Sequence, residues 1–366
     1  MLREELYRVL FKRRFFIILL AAILLEIVLF TNSARKTYNL DKESVVVFQS
    51  LMQNYGGELT SEKEAEIEAL RIEREETENR KQALKESYIS GKLFAEEFRN
   101  RLVPIRNAIR GTDGYNRFIQ LYEEALTGND YLADTSVWEL LFAADRFDPI
   151  YVITIILFCF ILGVVDEETG ANRLLITTIE GKKALQRLRL IVASVFTFLL
   201  SVLIFGGKFV LAAYSFHLDG YSFPLHTAEM FRYSQSNLTL TEGFICLHLI
   251  RMLGGILLAH IVLLFGELTR SSLYTVFLSA VVVFLPGYLL QGSQLKYLLP
   301  FPSGLLTAGG YFGASEACNF VVNETGEMQL RVFHNGFMIP FFCLTVFLVF
   351  LIGMANELLW KKRRRT

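Results

Sequence analysis

Leu190-Ile-Val-Ala-Ser-Val-Phe-Thr-Phe-Leu-Leu-Ser-Val-Leu-Ile-Phe-Gly-Gly-Lys-Phe-Val-Leu-Ala-Ala-Tyr-Ser-Phe216 decides the class of this chain. A bilayer core about 30 Å thick takes roughly 20 apolar helical residues. This run exceeds that length with a single charge, Lys208. Five more stretches approach it: residues 15–30, 150–165, 244–265, 272–290 and 337–355. The composition agrees. Hydrophobic residues make up 52% of the 366 and charged ones 20%, with a mean hydropathy of +0.37. That is too apolar for a typical soluble enzyme or a disordered chain. The balance of 37 basic and 37 acidic residues leaves no basic footprint for a nucleic acid. The expected fold is an all-α membrane protein with six transmembrane helices.

Charge flanks orient the spans. Arg3, Arg8, Lys12, Arg13 and Arg14 precede the first, and Lys361, Lys362, Arg363, Arg364 and Arg365 follow the last. Arg173, Lys182, Lys183 and Arg187 follow the second. The short loops on the other side carry only Arg232, Lys296 and Arg331. An even number of spans puts both termini on one side, and the positive-inside rule makes that side the cytoplasm. Glu26 interrupts the first apolar run and Asn32 stands where a signal-peptide cleavage site needs a small residue, so the run reads as an uncleaved anchor. Residues 1–13, with Leu2, Leu6, Val9 and Leu10 at helical spacing, form either an interfacial helix or a simple basic anchor.

The chain divides into residues 1–31 (interfacial segment and first span), 32–148 (a helical extracytoplasmic domain) and 149–366 (a five-span bundle). In the outer domain, residues 62–86 are densely charged and free of Gly and Pro, and Glu76 with Arg80 supports a helix. Its apolar seam, Leu59, Ile67, Leu70, Leu84 and Tyr88, is broken by Arg74 and Lys81, too thin for a coiled coil. A helical hairpin returning through Phe94, Phe98, Leu102 and Ile105 is expected, then a turn at Gly111-Thr-Asp-Gly114 and a helix from Tyr115 to Leu126. The domain is either a spacer or a contact surface for a substrate or partner.

No enzyme motif is present: there is no His-Glu-x-x-His, no Gly-x-Ser-x-Gly, no zinc-spaced Cys/His cluster and no phosphate-binding loop. No catalytic residue, metal ligand or bound cofactor is expected. Two pairs of cysteines bear on little: Cys159 and Cys343 lie within spans, and pairing of Cys246 with Cys318 stays open. Asn237-Leu-Thr239 and Asn323-Glu-Thr325 matter only in a host that glycosylates.

Ionisable residues inside spans are costly unless paired or hydrated, and here they are Glu26, Lys208 and Arg251, all in the outer half. Lys208 shares a polar stripe with Ser194, Thr197, Ser201 and Ser215. Arg251 opens a stripe of Gly255, Ala259, Val262 and Gly266, with His248 above it, and small residues there let helices approach closely. Either the stripes face the bundle interior, with Glu26 neutralising Lys208 or Arg251, or the long side chains snorkel to the headgroups.

The loop Asp166-Glu-Glu-Thr-Gly-Ala-Asn-Arg-Leu-Leu-Ile-Thr-Thr-Ile-Glu-Gly-Lys-Lys-Ala-Leu-Gln-Arg187, charged at both ends and apolar between, suits insertion into a groove on a cytoplasmic partner. With this loop, the chain resembles the permease subunits of type-2 ABC exporters. That family carries Glu-x-x-x-Gly followed by Leu-Leu-x-Thr/Ser between spans two and three. Here Glu167 or Glu168, Thr169, Gly170, Arg173, Leu174, Leu175, Thr177 and Thr178 take these places, with the Glu three or two residues before Gly170 instead of four, and Arg187 or Arg189 supplies the basic residue opening span three. The Pro often found after the Thr/Ser is replaced by Ile179-Glu180. Residues 299–323, including Leu299-Pro-Phe-Pro-Ser-Gly-Leu-Leu-Thr-Ala-Gly-Gly310, resemble the family's outer re-entrant helices.

The resemblance implies a half-transporter in a bacterial plasma membrane. It would assemble with a second permease, identical or not, and with ATP-binding cassette ATPase subunits that carry the ATP and Mg²⁺. The loop would be the coupling helix, with Glu167, Glu168 and Arg173 making polar contacts at the ATPase and Gly170 permitting close approach. A receptor or scaffold whose outer domain binds a ligand is the competing reading. A secondary transporter is opposed by the absence of evident inverted repeats.

Overall fold

The computed structural model describes residues 7–37, 40–126, 131–143, 146–165, 179–216, 218–234, 236–269, 271–289, 302–314, 319–322, 328–331, 345–346 and 348–355. The loop residues Glu167, Glu168, Thr169, Gly170, Arg173, Leu174 and Leu175 lie outside these, as do Cys318, Cys343 and residues 337–344 and 347 of the last expected span. The described chain is almost entirely helical and forms two compact units, Arg35–Thr135 and Met1–Ala34 with Ser136–Thr366.

In the second of these, α1 (Phe15–Thr37), the helix over Leu185–Ser215, α10 (Leu240–Thr269) and α11 (Ser272–Leu289) are long and apolar enough to cross a bilayer. The apolar helix Pro149–Val164 is shorter. This is an all-α membrane protein. Helix α1 shows how hydrocarbon and protein divide one surface. Phe15, Ala22, Glu26, Phe30 and Ala34 are buried at spacings of four or a multiple near seven. Phe16, Ile17, Leu24 and Val28 on the other faces are exposed. A stripe that narrow seats a helix at the rim of a bundle, its remaining faces apolar for lipid.

The second apolar helix, α7 (Pro149–Cys159), runs on through a π turn at Phe160–Val164 and is buried almost all round. The third is α8 (Ile179–Ser201), a π turn at Val202–Gly206, and α9 (Gly207–Ser215). Helix α10 packs against α7, α8, α11 and the short helix α12 (Pro302–Thr307). Two adjacent glycines allow that. A Cβ on Gly255 would lie 2.2 Å from the Tyr151 hydroxyl and 2.9 Å from Thr197, and one on Gly254 would lie 2.8 Å from Leu305. At the other end of the bundle Phe158 stacks on Phe196 at 3.6 Å, and Phe15 meets both edge-on at 5.3 and 5.7 Å. Val9 joins that core beneath a π turn at Arg8–Lys12, and Arg13 donates to the Ile161 carbonyl.

The Arg35–Thr135 unit holds α2 (Lys42–Tyr55), α3 (Ser61–Ile89), α4 (Ala95–Ala108) and α5 (Thr112–Leu126), with β1 (Gly57–Glu58) paired antiparallel to β2 (Tyr131–Leu132). Its core is Phe48, Leu51, Ile67, Phe118, Leu121, Tyr122 and Leu132. The charged hairpin is α3 and α4, closed by Tyr88 stacked on Phe98 at 4.4 Å. Arg74, which interrupts the seam in sequence, serves as a peg. It donates to the carbonyls of Ala108 at 3.0 Å and Ile109 at 2.8 Å and to the Thr112 hydroxyl at 3.0 Å, bonding the carbonyls left open where α4 ends. The turn expected at Gly111–Gly114 is shorter than read. Gly111 makes it with φ +65°, and Gly114 is already helical, where a Cβ would sit 2.0 Å from the Ser44 carbonyl oxygen. The helix α2 was not anticipated.

This compact unit, Arg35–Thr135, lies within the expected domain 32–148. Helix α6 (Ser136–Phe142) belongs to the membrane-bound unit because Val137, Trp138, Leu141 and Phe142 form an apolar face that must be buried. The Trp138 indole donates to the Asp219 carbonyl at 2.7 Å and packs among Phe209, Tyr221 and Phe244.

Candidate functional site

The costliest groups to bury converge around the π turn of the third apolar helix. Phe205 lies in that turn, and α9 begins two residues later with Lys208 next. One extra residue per turn rotates everything beyond it by roughly a quarter turn. The stripe read as continuous from Ser194 to Ser215 is therefore broken. Thr197 and Ser201 are buried and Ser194 is partly so, Lys208 is directed inward, and Ser215 is exposed.

Lys208 Nζ stands 2.6 Å from Glu26 Oε2 and 2.6 Å from Asp148 Oδ2. The expected partnership of Glu26 with Lys208 is present, joined by a second carboxylate. Asp148 reaches the cluster because it caps α7: its Oδ1 accepts from the backbone N–H of Ile150 and Tyr151, both at 3.1 Å. Asp-Pro is a sequence signature of a helix start, the Asp as N-cap and the Pro at the first helical position. That signal stands in the sequence at Asp148-Pro149, at the boundary where the expected domain 32–148 ends. With the three side chains 8% to 17% exposed, the ammonium does not snorkel.

Arg251, 3% exposed, is bound differently. Its Nε donates to the Leu306 carbonyl at 3.0 Å, and its Nη2 to those of Ala143 at 2.7 Å, Arg146 at 3.1 Å and Thr307 at 3.2 Å. Helix α6 ends just before Ala143 and α12 ends at Thr307, so two helix C-termini present their open carbonyls to one guanidinium. Both turns leave through an alanine with positive φ, Ala143 at +37° and Ala308 at +61°. The guanidinium is thus compensated by helix ends, whereas the sequence offered Glu26.

Phe205 joins the two cations. Lys208 Nζ and Arg251 Cζ each lie 5.9 Å from its ring centre, His248 is 4.4 Å away and Tyr151 5.2 Å. The His248 Nδ1 donates to the Phe244 carbonyl at 2.8 Å, and its buried Nε2 has no partner among the described residues. Further along, the Tyr151 and Ser201 hydroxyls bond at 2.6 Å, and Ser194 Oγ meets His260 Nε2 at 2.9 Å. Gly255 and Ala259 face this seam as expected, Ala259 fully buried. His248 and His260 serve different levels, in keeping with their phase. At the far end Gln186 donates to Glu267, and Gly163, Arg189 and Gly266 line a small pocket beside them.

The arrangement defines a helical membrane protein whose first three apolar helices are tied together by ion pairs at Lys208. Comparison with family models, curated proteins and solved structures returns no match.

Proposed function

We propose that this chain is the membrane-spanning permease subunit of an ATP-driven exporter, with six spans and both ends in the cytoplasm. It would move its substrate across the plasma membrane by coupling to a separate ATP-binding cassette ATPase, paired with a second permease. The observation that carries this reading is the outer segment after α11. Pro302–Thr307 forms a short, fully buried helix packed on α10 and α11, its end gripped by Arg251. A short helix buried against the bundle is what the exporter resemblance leads one to expect within residues 299–323. Buried irregular backbone is tolerated at membrane depth only where protein satisfies it.

The mechanism follows from rigid packing. The loop after Val165 would seat on the ATPase, and closure of the ATPase pair would displace it. Because Lys208 holds α1, α7 and α9 together in the outer half, the displacement would be carried through the bundle as a rocking of packed helices. Gentle purification from the native host tests this: an ATP-binding subunit should accompany the chain. Gly170→Trp and Glu168→Arg should lose it or uncouple its hydrolysis while the permease still inserts. Unchanged co-purification and coupled transport in both variants would refute the assignment. A receptor or scaffold with a ligand-binding outer domain would purify with no ATPase at all.

A further inference from the structure

Outside the apolar helices of the membrane-bound unit, the most exposed large apolar side chains among the described residues sit together at one turn. Ile89 is 83% and Phe94 85% exposed, at the tip of the α3–α4 hairpin. The turn is Ile89-Ser-Gly-Lys-Leu-Phe94, reversed through Gly91 at φ +74°, where an added Cβ would meet nothing within 4 Å. Helix α3 has 29 residues, about 44 Å at 1.5 Å per residue. Its one fully buried side chain, Ile67, lies in the first third, and α4 buries none completely. The distal hairpin therefore projects from the core of the outer unit as a narrow stalk. The Tyr88–Phe98 stack at 4.4 Å holds its two stems together just behind the tip.

We propose that this tip docks into the headgroup layer of the bilayer that carries the chain. The inference is independent of the permease reading. Three observations favour a lipid surface. The first is size: Ile89 and Phe94 together offer on the order of 300 Å² of apolar surface, well below the roughly 800 Å² per partner of a stable protein interface. They form a convex point, which a fluid interface accepts and a protein must match with a socket. The second is chemistry. The only charge between Ile89 and Phe94 is Lys92, so the apex pairs apolar side chains with one cation whose stem can lie along the acyl boundary and whose ammonium meets phosphate. The third is tethering. Arg35 lies within α1 and Ser136 opens α6, so both ends of the outer unit run into the membrane-bound unit. Docking of the tip to its own bilayer is then an intramolecular event, and docking to a second membrane is not.

Photo-crosslinking of the full chain tests the proposal. Phe94→p-benzoylphenylalanine is compared with the same substitution at Glu75, which is exposed midway along α3. Both proteins are placed in nanodiscs of phosphatidylcholine and phosphatidylglycerol doped with a clickable phospholipid. Position 94 should form lipid adducts and position 75 should not. Adding Ile89→Ser should at least halve the yield, and replacing phosphatidylglycerol by phosphatidylcholine should lower it. No adduct from position 94, equal yields from 94 and 75, or adducts only with lipid supplied in separate vesicles would overturn the proposal. So would crosslinking in cells that goes to protein and never to lipid.

Discussion

Replacing Lys208 with methionine removes the one cation among the described residues that touches both Glu26 and Asp148. Each carboxylate oxygen is 2.6 Å from Nζ, so the two oxygens are no farther apart than about twice that distance. At that upper limit of about 5 Å, two like charges at an effective dielectric constant near 20 repel by about 3 kcal/mol, which the two carboxyl groups, also hydrogen-bonded to each other, relieve in part by sharing a proton. Breaking one member of a buried ion pair costs about 3–5 kcal/mol in soluble proteins, of the same order. Lys208→Met should therefore destabilise the protein by about 3–5 kcal/mol. Glu26→Gln alone leaves the Lys208–Asp148 bond intact and forfeits one charge-assisted hydrogen bond, about 1.5–3 kcal/mol. The double variant removes one of the stranded carboxylates, so it should be more stable than Lys208→Met by itself. Chemical unfolding of the four proteins in the same detergent, followed by Trp fluorescence, gives the coupling energy directly. If the two single effects simply add, or if Lys208→Met unfolds with the wild type, the triad does not hold α1, α7 and α9 together and the reasoning fails.

Arg251→Met should loosen the outer segment selectively, because each stranded carbonyl costs about 1–3 kcal/mol; hydrogen exchange over 302–314 should rise well above that of α10. Gly255→Ala should cost about 1–3 kcal/mol by driving a methyl against the Tyr151 hydroxyl. Gly206→Ala, which meets nothing within 4 Å, should be neutral or stabilising by about 0.5–1 kcal/mol, and thermal midpoints separate the two. Residues 35–135 expressed alone should unfold cooperatively, with stability that depends on the Asp41 cap. Hydrogen bonds from Ser44 hold the Asp41 carboxyl below its ordinary value. A depressed folded value means that the cap's contribution is complete above the ordinary carboxylate range and is lost as pH falls through the folded value. Asp41→Ala should therefore be less stable than wild type at neutral pH, and urea titrations at successively lower pH should show the gap closing; a gap that persists in strong acid refutes the linkage.

Much of this was legible in the residues, for identifiable reasons. Apolar runs and their flanking charges report the solvent each segment meets, and the α3–α4 hairpin is visible in its Gly- and Pro-free charged run. Glu26 with Lys208 was legible because unpaired charge in hydrocarbon demands a partner. The partner set was not. Asp148 enters through a helix cap, and Arg251 is satisfied by backbone carbonyls, which no side-chain inventory displays. The third helix also carries a π turn that no periodicity at 3.6 residues anticipates, and it resets the phase of Lys208 and all that follows relative to Ser194, Thr197 and Ser201. At the N-terminus of α10, Thr239 and Glu242 form a reciprocal capping box, readable from their spacing alone.

By itself, the sequence determined the environment of each segment: which helices lie in hydrocarbon, which carry charge into water, and which few charges need rescue. These follow from transfer free energies, which are properties of the residues. Tertiary structure decided who performs the rescue. Lys208 took two carboxylates from two helices, Arg251 took the ends of two others, and Ser136–Phe142 joined the membrane-bound unit rather than the outer one. Those choices depend on where helices end and how each is rotated. Such quantities are set by packing among segments distant in sequence, and by a single extra residue in one turn.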